Sequence, residues 1–153
     1  MRVLPVKEIE NLLLVPRAIR QVIVRHSRRE LEAGWEDDFN ALYASLIDQE
    51  RDTVVSRRIA GRMEFVGSKG SNINYGEVAA SEVGHIARLW NDDGLRSKSV
   101  SGKAVLQGLG QSIKELFDVT ITPTRIIDEM ETSDLPYDFL SMLSDLEGHY
   151  LAT

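Results

Sequence analysis

Two short polar clusters carry the residue types that could do chemistry. The first is Glu8, Glu10 and Asn11, beside an unbroken apolar run at residues 12–15. Carboxylates at the rim of an apolar wall can orient a ligand or hold a cation. The same arrangement is also the ordinary wet edge of a core helix. The second cluster is Ser101-Gly102-Lys103. Ser101 is a good N-cap, which places Lys103 in the first turn of a helix, where a cation opposes the helix dipole. Lys103 beside free backbone N–H groups would make an anion site; the plain alternative is a solvated lysine at a helix end. Residues two apart on a helix point in different directions, so Glu8 and Glu10 are not expected to face one metal ion, and Glu8 is the weaker candidate.

Other motifs fall away on inspection. The Gly67-Ser68-Lys69-Gly70-Ser71-Asn72 stretch resembles a phosphate loop in composition only, because a P-loop needs Lys-Ser/Thr directly after its second glycine. It reads as a flexible loop near 67–74. A Walker A reading of the later glycines also fails: seven residues separate Gly94 from Gly102, and Ala104 stands where Ser or Thr is required. His26 and His149 have no metal-type partner three or four residues on, Glu30 beside His26 being an ordinary ion pair, and His85 reads as a structural histidine, so no zinc site is expected.

The chain has 153 residues, which predicts a single domain spanning residues 1–153. There is no cysteine, so disulfides and thiolate metal sites are excluded. The opening residues include acids and lack a small-residue cleavage site, and no run is long enough to span a bilayer, so a cytoplasmic location with no membrane partner is expected. The net charge of −6 is uneven. Residues 1–69 hold 12 Lys and Arg against 11 Asp and Glu, a balance of +1; the remainder hold 6 against 13, a balance of −7. Such a surface disfavours broad binding to a phosphate backbone, which needs clustered cations. The local exception is Arg17, Arg20, Arg25, Arg28 and Arg29, which read as the solvated face of a surface helix.

The elements that must position the two clusters are helical. An all-α fold of about six or seven irregularly packed helices is predicted. Pro16 suits the first turn of a helix with Ile19, Val22 and Ile23 inward, ended by Gly34. Asp37 or Asp38 can cap the next. Residues 39–60 contain neither Gly nor Pro, so one long central helix is expected there. Residues 76–91 follow, with Val83, Ile86, Leu89 and Trp90 inward, then a polar connection at 95–100. The helix after Ser101 carries Val105, Leu106, Leu109, Ile113 and Leu116. Thr122-Pro123 opens another, with Ile126, Ile127 and Met130 inward, and Asp134-Leu135-Pro136 starts the last.

Val3-Leu4-Pro5 followed by Glu8-Ile9-Glu10-Asn11-Leu12-Leu13-Leu14 resembles the segment after the Toprim core in ATPase–nucleases of the OLD (overcoming lysogenization defect) family. Ser101-Gly102-Lys103-Ala104-Val105-Leu106 resembles the Pro-Gly-Lys helix start near the C-terminus of the same proteins. The order Phe117-Asp118-Val119-Thr120, Arg125-Ile126-Ile127, Leu135-Pro136 also fits. The resemblance covers both ends of the chain and leaves the middle uncovered. It implies the helical C-terminal part of a larger ATP-dependent DNA nuclease. Lys103 and Glu10 would then be catalytic, with Glu10 near a metal and Asn11 orienting its neighbour. The site would be completed by a Toprim core, with Mg²⁺ as the metal of the whole enzyme and no cofactor in this chain. The implied partners are the Toprim and ATPase parts of the same parent, a homo-oligomer that binds DNA only as a full assembly. The chain has no Walker A, no Asp-x-Asp after a strand, Leu12 in place of Tyr and Ser101 in place of Pro, so alone it is expected to be inactive. Two other readings compete: a non-catalytic interaction module docking through residues 39–60, and a helix-turn-helix DNA binder with Thr124 and Arg125 opening its recognition helix.

Overall fold

The computed structural model describes residues 8–68 and 74–150. The loop expected near 67–74 and the Val3-Leu4-Pro5 motif lie largely outside these residues. The fold is all-α, and no strand occurs among the described residues. A 3-10 turn (Ile9–Leu13) leads into α1 (Pro16–His26), α2 (Trp35–Gln49), α3 (Arg51–Gly67), α4 (Tyr75–Trp90), α5 (Asp93–Ser99), α6 (Gly102–Phe117) and α7 (Pro123–Glu129). A second 3-10 turn (Thr132–Asp134) precedes α8 (Tyr137–Tyr150).

Helix α1 is the centre of the core. Ala18, Ile19, Val22 and Ile23 recur at three- and four-residue spacing and are fully buried. They meet Phe39 and Ile47 of α2, Val105, Leu109, Ile113 and Phe117 of α6, and Ile126 of α7. Burying each such side chain stabilises by about 1.5–3 kcal/mol. Helices α3 and α4 pack chiefly on each other. Val54 and Ile86 tie them into the core, with Val55 and Trp90 packed against it, and Phe65, Tyr75 and Val83 stay exposed.

Several expectations are corrected. The single helix over 39–60 is two helices meeting at Glu50. No residue type marks the break. Beside it Ile47 is buried and the next residue, Asp48, accepts from Trp90 Nε1 at 2.8 Å and pairs with Arg96 at 3.5 Å. The Glu50 N–H turns to the Ile47 carbonyl at 3.1 Å, one residue short of the α-helical partner. Helix α1 stops at His26 rather than near Gly34. Gly34 instead precedes α2 with φ +89°, a conformation that favours glycine, and Asp37 and Asp38 fall in that helix's first turn. The polar connection after residue 94 is the short helix α5, capped by the Asp92 carboxylate. Val83, Leu116 and Ile127 face outward instead of inward.

The arginines of α1 do more than solvate a face. Arg17 bonds Asp134 through both carboxylate oxygens and donates to the Glu129 carbonyl at 2.9 Å. Arg25 pairs with Glu129 at 2.7 Å. Arg20 donates to Asn40 at 2.9 Å and lies over the Phe39 ring. The arginine face therefore fastens α1 to α2, α7 and the second 3-10 turn.

Candidate functional site

The two sequence clusters, some ninety residues apart, meet. The opening 3-10 turn lies across the junction where α5 ends and α6 begins; Asn11 within it bonds the end of α5 and Glu8, its N-cap residue, bonds the start of α6. Asn11, 7% exposed, donates its amide to the Ser97 carbonyl at 2.8 Å and the Val100 carbonyl at 3.2 Å. These are carbonyls that the end of a helix leaves without partners. Its amide oxygen accepts from the Glu8 N–H at 2.9 Å. Glu8 extends to the other element. Its carboxylate accepts from the Ser101 hydroxyl at 3.1 Å and the Lys103 N–H at 3.2 Å. Ser101 caps α6 as its residue type predicts, accepting from the Ala104 N–H at 3.3 Å.

Gly102 makes this meeting possible. A Cβ on it would sit 2.6 Å from the Asn11 nitrogen and 2.8 Å from the Glu10 carbonyl carbon, both backbone atoms. Only glycine lets the turn approach the helix so closely. The same contact, carried along standard bond lengths, places the Cα atoms of Glu10 and Lys103 within roughly 10 Å of each other.

The anion position expected beside Lys103 is therefore filled by the protein itself. The Glu8 carboxylate accepts the Lys103 N–H in the first turn of α6 and offsets the cation there. The backbone part of that site is corrected to a structural clasp, while the Lys103 side chain remains exposed. Asn11 holds the junction through its bonds to Ser97, Val100 and Glu8. Glu10 is half-buried. Neither its carboxylate nor the Lys103 ammonium has a hydrogen bond or ion pair among the described residues.

Among the described residues no three His, Asp or Glu side chains converge to hold a metal ion. The roles of Glu8 and Asn11 were beyond sequence reasoning, because their partners lie about ninety residues away and no local pattern links them.

A second polar centre joins α2, α5 and the start of α1. Arg96 pairs with Asp93 at 2.7 Å and with Asp48 at 3.5 Å, while its buried Nε has no hydrogen-bond partner among the described residues. Tyr43 donates to the Leu14 carbonyl at 3.0 Å. Burial pushes the Tyr43 hydroxyl up to about 12, against the pull of nearby Arg96. A phenol so placed is a structural donor at neutral pH.

The helix expected to open at Thr122 does so, with Thr122 capping through the Arg125 N–H at 3.3 Å. It is only seven residues long, and the Arg125 guanidinium folds back on the Thr120 carbonyl at 2.5 Å. A recognition helix would need more length and a free arginine. Among the described residues no helix is long and apolar enough to cross a membrane. Comparison with protein-family models, with curated proteins and with solved structures finds no match for this chain.

Proposed function

We propose that this chain is the helical C-terminal region of an OLD-like ATP-dependent DNA nuclease. In this reading it presents Lys103 and Glu10 to a metal-dependent phosphodiesterase site that a Toprim core completes. The observation that supports it is the clasp: the two motifs that carry the resemblance pack into one unit, with Glu8 and Asn11 spent on holding it and Glu10 and Lys103 left over. Residues that hold nothing in the fold, yet stand within about 10 Å by bond-length reach, are the ones free to meet a ligand.

The chemistry assigns each a task. The Lys103 ammonium would pair with a non-bridging oxygen of the scissile phosphate, neutralising charge that grows as the bond breaks. Glu10 would supply one carboxylate to the metal or to a water on it. Mg²⁺, when bound, would stabilise the attacking and leaving oxygens.

The test is plasmid nicking with Mg²⁺ by the parent protein carrying its Toprim core. Lys103→Met and Glu10→Gln should each slow nicking at least tenfold while leaving thermal unfolding unchanged. Nicking at the wild-type rate in both variants would remove the catalytic assignment.

An interaction-module reading draws on a different observation. The hairpin of α3 and α4 keeps Phe65, Tyr75 and Val83 exposed, at 52%, 50% and 49%. In that reading the docking face moves from residues 39–60 to this hairpin, and Lys103 has no role.

A further inference from the structure

We infer that the cleft between α3 and α5 takes one phosphate group of a nucleic-acid backbone. The cleft measures about 360 Å³ and is lined by Val54, Arg57, Arg58, Lys98 and Ser99. Three of its five residues are cations and none is an acid, on a chain of net charge −6. Folding that gathers like charges costs energy unless an opposite charge joins them. Arg58 has such a partner, since Glu82 of α4 approaches its Nε at 3.2 Å and also faces Arg62 at 4.0 Å. Arg57 and Lys98 make no ion pair or side-chain hydrogen bond among the described residues.

The surroundings favour an anion further. Val54, 4% exposed, gives the cleft a dry floor, where attraction between opposite charges is stronger than in water. The C-terminal end of a helix ordinarily repels anions. Here the Ser97 and Val100 carbonyls at the end of α5 are engaged by Asn11, and the Ser99 hydroxyl donates to the Leu95 carbonyl at 2.8 Å. The binding groups are therefore Arg57 and Lys98, with Arg58 shared with Glu82. Arginine presents a fork that matches phosphate oxygens.

The bearer of the phosphate follows from position, and this step rests on the nuclease reading. Lys98 precedes Lys103 by five residues, so their Cα atoms are at most about 17 Å apart. A strand rises about 3.4 Å per nucleotide. A backbone crossing Lys103 would thus reach the cleft within about five nucleotides.

The experiment is fluorescence anisotropy of a short labelled DNA duplex, titrated at low salt in EDTA with the parent protein carrying its Toprim core. The Arg57→Ala/Lys98→Ala double variant should bind about tenfold more weakly. Its plot of log affinity against log salt should be shallower by about one. Arg88→Ala, exposed on α4 outside the cleft, should match the wild type in both. Circular dichroism establishes that each variant is folded, and Arg57→Glu provides a second disruption. Wild-type affinity and slope in the double variant would overturn the proposal, as would a wild-type parent protein that fails to bind the duplex. Inorganic phosphate binding without duplex binding would reduce the cleft to a free-anion site and overturn the backbone assignment. Nuclease failure reads separately: unchanged nicking by Glu10→Gln and Lys103→Met would discard the catalytic patch, while metal-free duplex binding would still report on the cleft.

Discussion

Gly102→Ala carries the sharpest structural prediction. Helix propensity alone favours alanine by up to about 1 kcal/mol, so a reading blind to tertiary contact expects a more stable protein. The structure reverses the sign. The new methyl would stand 2.6 Å from the Asn11 nitrogen and 2.8 Å from the Glu10 carbonyl carbon. Both are backbone atoms, so no side chain can swing aside. The 3-10 turn must retreat, at a cost of about 1–3 kcal/mol for overpacking. Retreat also stretches the Glu8 bonds to Ser101 and Lys103 and the Asn11 bonds to Ser97 and Val100. Hydrogen bonds to a charged group contribute about 1.5–3 kcal/mol each, so partial loss brings the total to about 2–4 kcal/mol. For a chain of this size that lowers Tm by roughly 5–15 °C. Gly84→Ala in α4 is the matched control, because nothing lies within 4 Å of its added Cβ, and a gain of about 0.5–1 kcal/mol is expected. Urea unfolding followed by circular dichroism measures both. Equal or greater stability in Gly102→Ala would refute the close approach and the clasp built on it.

Asn11→Ala leaves the Ser97 and Val100 carbonyls without their donor, and a loss of about 2–3 kcal/mol in urea unfolding is expected. Asn11→Asp should be worse, since a carboxylate would then face two carbonyl oxygens. Tyr43 links stability to alkaline pH. Its folded value of about 12 exceeds the ordinary 10.0, so its contribution is full below pH 10 and is lost as pH rises toward 12. Tyr43→Phe should flatten that alkaline limb in denaturation midpoints, while costing about 1 kcal/mol at neutral pH through the Leu14 carbonyl. Asp134 works at the other end of the scale. Its hydrogen bond from Arg17 holds the carboxyl below the usual 3.8, so its contribution is present above that value and fades as pH falls through the lowered one. Asp134→Asn should lower stability at neutral pH and leave a shallower acid limb in the same titration.

Much of the scaffold was legible because its signals are local. Pro16 at the start of α1, Ser101 before α6 and Thr122-Pro123 before α7 each act within one turn, and each opens its helix as predicted. The buried stripes of α1 and α6 follow from three- and four-residue spacing. The break at Glu50 was not legible, because no glycine, proline or capping residue marks it, and the contacts beside it join Asp48 to Trp90 and Arg96, more than forty positions later. Helix α5 was missed because it is short and polar and buries none of its own residues. Ile127 and Leu116 were misplaced because apolar type does not distinguish the two faces of a helix when both carry apolar residues. At the site, the residue types were legible and their division of labour was not. Glu8 looked the lesser carboxylate, yet it closes the start of α6. Lys103 seemed to face free N–H groups, yet a carboxylate from the far end of the sequence already accepts the Lys103 N–H.

The absence of native cysteine permits the most direct test of the shared patch. Glu10→Cys/Lys103→Cys should be cross-linked rapidly by a bifunctional thiol reagent of about 10 Å span, matching the bond-length reach between the two Cα atoms. Glu10→Cys/Lys114→Cys is the comparison, because Lys114 lies eleven residues further along α6, about 16 Å from Lys103. Faster intramolecular cross-linking in the first pair is the predicted result. Equal rates in the two pairs would separate Glu10 from Lys103, and the catalytic patch would fall with them.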